Sequence, residues 1–212
     1  MKNILLLGDS IRIGYDKSVQ KALEGKANVF FPEDNCRFAA YLFRHLVDYR
    51  KLLPEGETAD VVHWNAGLWD CLHLLDEDVQ TPIEIYEYYI ERICVRIRTL
   101  FPQAKVIFAT STSVVPEQMD AGFARRNEEI EAYNAAAVAI VTCYGFAVND
   151  LYAMSAALPM ETRTGPTHFY TEAGTAAFTD AVLAHLLPAI GLDLALADRG
   201  ETVIHTDDTE GF

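Results

Sequence analysis

The chain has 212 residues, a length that a single hydrophobic core can serve. Half of the residues are hydrophobic and 11% are aromatic, which supplies ample apolar surface for a packed interior. Seventeen Lys and Arg stand against 31 Asp and Glu, a formal net charge of -14 with no basic stripe, so nucleic acid is excluded as an expected partner.

Short apolar runs alternate with longer amphipathic ones, the pattern of βαβ units that build a mostly parallel sheet covered on both faces. Asn3 to Leu7 predicts a buried first strand, Tyr15 to Leu23 a helix ended by Gly25, and Asn28 to Phe31 a second strand stopped by Pro32. Phe38 to Tyr49 follows as a helix and Asp60 to Trp64 as a third strand. Pro82 to Leu100 predicts a long helix, with Thr81 as N-cap and Pro82 at its first position. Lys105 to Ala109 is the fourth strand, closed by the polar stretch Thr110 to Ser113, and a loop leads on to a helix over Arg125 to Cys143. Gly145 to Val148 is a short fifth strand, Asp150 to Ala157 a short helix, and Thr171 to Leu187 the last long helix, closed before Pro188. Residues 1–191 therefore read as one domain, and 192–212 as an acidic tail with little periodicity, expected to wrap the surface or stay disordered.

In an open α/β sheet, ligands bind beyond the carboxyl ends of the strands. Gly8-Asp9-Ser10-Ile11 ends the first strand, where a small residue permits a sharp turn and leaves the Ser10 hydroxyl at a helix N-terminus, a setting that favours negative charge. A serine needs an adjacent base to become a nucleophile. His168, in a loop just before the last helix, is the best-placed imidazole. His73, just after the third strand's loop, is the rival; His45, His63, His185 and His205 fall within helices, a strand or the tail.

These blocks together resemble the SGNH/GDSL hydrolases. Gly8-Asp9-Ser10-Ile11 matches the family's first block, and His168, Phe169 and Gly174 match its last, His-Phe-x-x-x-x-Gly. The resemblance implies a three-layer α/β/α fold with a mostly parallel five-stranded sheet of the flavodoxin-like, SGNH hydrolase type. It also implies a serine esterase acting on small acyl esters through an acyl-enzyme, with Ser10 as nucleophile and His168 as base. The middle blocks are variants. Cys36 stands where the family has an oxyanion-hole glycine, and its backbone N–H is expected to donate alongside that of Ser10. Trp69 stands at the family's asparagine in the third block, which leaves the amide of Asn65 as the expected third donor. Gly165 stands where Asp-x-x-His would place the orienting acid, so His168 Nδ1 is expected to bond to a main-chain carbonyl of residues 163–166 or to a carboxylate from elsewhere, Glu161 and then Asp150 being the nearest upstream. The altered blocks keep open a second reading, a catalytically impaired binding protein on the same fold.

Arg12 and Arg37 follow the first two blocks and, with Trp69, are candidates for substrate binding. The four cysteines form no C-x-x-C pair and no zinc-site spacing, so reduced thiols and no metal are expected. G-x-G-x-x-G and the P-loop pattern are both missing, and no nucleotide or other cofactor is expected. The amino-terminal apolar stretch is too short for a signal peptide and no later run suggests a membrane span, which places the chain in the cytoplasm as an expectation. The expected partner is a small-molecule ester.

Overall fold

The computed structural model describes residues 1–75, 77–193 and 202–206. In chain order its regular elements are β1 (Lys2–Leu7), α1 (Ser10–Ala22), β2 (Ala27–Phe30), α2 (Ala39–Tyr49), β3 (Val61–Trp64), β4 (His73–Leu74), α3 (Ile83–Leu100), β5 (Lys105–Ala109), β6 (Phe123–Ala124), α4 (Asn127–Cys143), β7 (Ala147–Asn149), α5 (Leu151–Ala156) and α6 (Glu172–Ile190). Five strands form one parallel sheet in the order β2-β1-β3-β5-β7. The crossovers between parallel strands place α1 and α6 together on one face and α2, α3 and α4 on the other, the three-layer α/β/α arrangement.

Because both faces are covered, the central strands are apolar throughout rather than alternating. Ile4 to Leu7 and Val61 to Trp64 are all fully buried. His63 lies among them as a polar exception: its Nε2 sits 3.3 Å from the Asn149 amide nitrogen, and burial pushes its pKa down to about 3, so it stays neutral. Strand order reverses about β1, with β2 on one side and β3 on the other, and such a switch point opens a crevice at the carboxyl ends of the strands.

The structure alters two expected helix boundaries and adds two features that the sequence left open. The first helix begins at Ser10 rather than Tyr15, because Asp9 caps it by accepting a 3.0 Å bond from the Ile11 N–H. The last helix runs through Pro188 to Ile190: in the final turn the missing N–H forfeits a single bond, and Gly191 at φ 78° then closes the helix. This helix is, among the described residues, the one long and apolar enough to cross a membrane by length and composition, and half of that stretch is buried within the protein. The antiparallel pair β4–β6, joining His73 to Ala124 and Leu74 to Phe123, was not legible because two-residue strands carry no periodicity. Finally, residues 202–206 return to α1, where the Ser18 hydroxyl donates to the Val203 carbonyl at 3.0 Å and accepts from its N–H at 2.8 Å. The other tail residues, 194–201 and 207–212, lie outside the described residues. All four cysteines are free, and only Cys143 is exposed.

Candidate active site

Ser10 is the first residue of α1, so its backbone N–H has no acceptor within the helix. The loop between α5 and α6 brings His168 over it, with Nε2 2.8 Å from Ser10 Oγ across 158 positions of sequence. That loop is held from several directions. The Val115 N–H donates to the Pro166 carbonyl at 2.9 Å, the Thr164 N–H donates to the His168 carbonyl at 3.0 Å, and Thr171 Oγ1 donates to the Thr162 carbonyl at 2.8 Å. Arg163 reaches Ser113 Oγ at 2.7 Å and covers the Phe169 ring at 4.0 Å, while Phe169 packs into the core against Phe178. Gly174 completes the clamp: a Cβ there would fall 2.4 Å from the carbonyl oxygens of both Phe169 and Thr162. The His-Phe-x-x-x-x-Gly spacing therefore has a packing cause.

Ser10 and His168 open onto a cavity of about 390 Å³. Leu68, Trp69, Met119 and Phe123 supply its apolar walls, while Gln118, Asp120 and Arg125 supply polar groups. The segment of residues 110–126, mostly irregular but including the two-residue strand β6, contributes much of this lining, and the sequence alone did not show it, since nothing local in such a segment says which way it folds. Arg125 is buried, donates from Nε to the Leu68 carbonyl, and sets its guanidinium 5.1 Å from the Phe123 ring centre and 6.0 Å from that of Trp69. Burial first, and then the nearby Arg125 and His205, lower the His168 pKa to about 4, so the imidazole is neutral at pH 7 and able to accept a proton.

Several residues singled out from the sequence lie elsewhere. Arg12 does not face the cavity. It is 1% exposed, paired with Asp16 and donating to the carbonyls of Pro32 at 2.9 Å and Asp34 at 2.7 Å, because its place in the first turn of α1 points it inward under the loop after β2. Arg37 does not line the cavity either; it sits at φ 48°, with its guanidinium 5.2 Å from the Tyr41 ring. The Cys36 N–H is already committed, donating to the Gly8 carbonyl at 3.1 Å, so it ties two loops together and is not free for an oxyanion. Asn65 is buried with its amide against the Asp9 carboxyl, whose pKa burial raises and this contact lowers, and it is not among the cavity-lining residues. Trp69 does line the cavity.

The rival base His73 is far from the nucleophile in bonding terms: its Nε2 pairs with Glu129 at 2.8 Å and its Nδ1 lies 2.8 Å from the Glu77 carbonyl. Asp70, beside Trp69 in sequence, is buried and caps α2 from a distance, accepting from the Ala39 N–H at 3.0 Å; burial pushes its pKa up to about 7. The expected partner of His168 Nδ1 is not found among the described residues. The Pro166 carbonyl is turned to Val115 instead, Glu161 is exposed, and Asp150 caps α5 by accepting from the Ala153 N–H. Tyr170 takes the space beside the imidazole, its ring stacked on that of His168 with centres 4.6 Å apart and planes 20° apart. Two positions after His168, it was within view of sequence reasoning, yet only the turn of the loop shows its ring returning to the histidine.

No family model and no curated protein matches the chain. Solved structures do. The acetyl xylan esterase AlAXEase is 16% identical with a TM-score of 0.69, the match covering 87% of this chain and 99% of that one. The lipase/acylhydrolase from Enterococcus faecalis is 19% identical with a TM-score of 0.65, covering 88% and 95%. A GDSL-like lipase from Parabacteroides merdae, described as putative, is 15% identical with a TM-score of 0.69, covering 91% and 96%. With its parallel sheet ordered β2-β1-β3-β5-β7, helices on both faces and a serine at the turn after β1, the chain has the SGNH/GDSL hydrolase fold.

Proposed function

We propose that the protein is a serine hydrolase of small acyl esters, with Ser10 as nucleophile and His168 as general base. The observation that carries this reading is the 2.8 Å approach of His168 Nε2 to Ser10 Oγ, both of which line the cavity. Ser10 Oγ attacks the ester carbonyl carbon while its proton passes to His168 Nε2. The resulting oxyanion meets the Ser10 N–H and the positive end of α1. Collapse expels the alcohol, which takes the proton back from Nε2 and leaves Ser10 acylated. Water, deprotonated by the same nitrogen, then releases the carboxylic acid and restores the serine. A cavity of about 390 Å³ lined by both apolar and polar groups suits a short acyl group on a polar alcohol, such as an acetylated carbohydrate. The esterases and lipases among the structural neighbours support that class of reaction.

The test is kinetic. Ser10→Ala, His168→Ala and the double variant share one residual rate if the two side chains act as a unit, on a panel of acetylated sugars and nitrophenyl esters of increasing chain length. A fluorophosphonate probe labels Ser10 in the wild type and nothing in Ser10→Ala. Additive losses in the kinetics would break the pairing. That no partner of Nδ1 is found among the described residues favours a second reading, a binding protein with an idle serine, and failure of the wild type to take the probe would select it.

A further inference from the structure

The base of a serine hydrolase must be held with one nitrogen aimed at the nucleophile, and a carboxylate on Nδ1 is the usual means of doing so. Here no such bond to Nδ1 is found among the described residues, yet the His168 ring is enclosed by another set of contacts. Tyr170 stacks on its face, and the Tyr170 hydroxyl donates to the main-chain carbonyl of Ser10 at 2.6 Å. A closed triangle results: Ser10 Oγ to His168 Nε2, His168 ring to Tyr170 ring, and Tyr170 hydroxyl to Ser10 carbonyl. One tyrosine thus touches both members of the catalytic pair and fixes their separation.

Tyr170 is itself wedged between two elements. On one side lies α1 at Gly14, where a Cβ would come within 2.5 Å of Tyr170 Cε1, so the absence of a side chain there makes room for the ring. On another lies His205, its ring set edge-on to Tyr170 with centres 5.0 Å apart and planes at 71°. His205 belongs to the returning segment 202–206, which Ser18 fastens to α1 through two hydrogen bonds to Val203. The aromatic face also stabilises a positive charge on the stacked imidazole, the form His168 takes after accepting the serine proton.

We propose that Tyr170 is the positioning residue of this site, holding His168 by stacking and by its tether to Ser10 where a carboxylate would otherwise hold it, and that residues 202–206 hold Tyr170 in place through His205. The inference rests on the reading of Ser10 and His168 as a catalytic pair. It makes the carboxy-terminal segment a part of the site rather than an appendage.

The experiment uses the full chain and three variants, Tyr170→Phe, Tyr170→Leu and His205→Ala, with the rate of fluorophosphonate labelling, kcat and KM, and the order of the His168 ring by side-chain NMR relaxation. Tyr170→Leu slows labelling and kcat by about 100-fold, since it frees the ring to leave its aim. KM stays within about threefold, because the tyrosine touches the catalytic pair and is not itself among the cavity-lining residues. Tyr170→Phe keeps the stack, loses only the tether and retains most of the rate, while His205→Ala falls between the two. In NMR the His168 ring is ordered in the wild type and Tyr170→Phe, and mobile in Tyr170→Leu. Wild-type labelling rates in Tyr170→Leu overturn the proposal. If Tyr170→Leu fails to fold, unchanged labelling in both Tyr170→Phe and His205→Ala overturns it. If the wild type takes no probe, the reading of the pair as catalytic fails by itself, and the ring order in Tyr170→Leu still decides the positioning role: an equally ordered ring ends it, a mobile one sustains it.

Discussion

Gly14→Ala is a small change in sequence with a large one in geometry. The added methyl carbon would stand 2.5 Å from Tyr170 Cε1 and 2.8 Å from Cδ1. Carbon atoms rest at about 3.5–4.0 Å, so the tyrosine ring must withdraw by roughly 1 Å. The stacked imidazole loses its backing, and a misplacement of about 1 Å in a catalytic array costs up to about 100-fold in rate. Stability moves far less, because two terms oppose each other. Alanine in a helix interior gains about 1 kcal/mol over glycine, while overpacking costs about 1–3 kcal/mol. The net loss of about 0–2 kcal/mol is a shift of no more than about 8 °C in melting temperature for a chain of this size. The assay is kcat and KM on a short-chain nitrophenyl ester together with a thermal melt of the same preparation. A fall in kcat of about tenfold or more with a modest melting shift is expected. Wild-type turnover in a folded Gly14→Ala protein would refute the link from α1 through Tyr170 to His168.

Other outcomes follow from the buried charges. Because the His168 pKa lies at about 4 in the folded protein, kcat/KM should hold down to pH values below the ordinary histidine range and lose half its value near pH 4; an acid limb near pH 6.5 would contradict the burial that lowers it. Arg12→Met strands the Asp16 carboxylate in the core and should cost about 3–5 kcal/mol in urea unfolding, much of it recovered when Asp16→Leu is added; an additive loss in the double variant would count against the pair. Asp70 has a folded pKa of about 7 against an ordinary 3.8, so the folded state holds its proton more tightly. Its contribution is fully present below about pH 4 and is lost as pH rises through 7. Asp70→Asn removes that dependence while keeping an acceptor for the Ala39 N–H, and its unfolding midpoint should gain on the wild type between pH 5 and pH 8.

Much of the fold could be read from the sequence because the signals are local. Apolar runs such as Ile4 to Leu7 and Val61 to Trp64 mark strands covered on both faces, and the amphipathic stretches between them mark helices. The motifs Gly8-Asp9-Ser10 and His168, Phe169 and Gly174 are legible as short local spacings as well, although the packing that requires Gly8 and Gly174 reaches to Asn65 and Thr162. Only the tertiary structure decided what depends on direction across the sheet. It turned Arg12 inward and brought Arg125 to the cavity, and it gave the Cys36 N–H to Gly8. It also returned residues 202–206 to α1, so that His205 meets Tyr170 and Tyr170 meets His168. Periodicity specifies which face of an element is buried, but a loop's path is fixed by contacts with residues far away in the chain, and the side chains that surround Ser10 come almost entirely from loops.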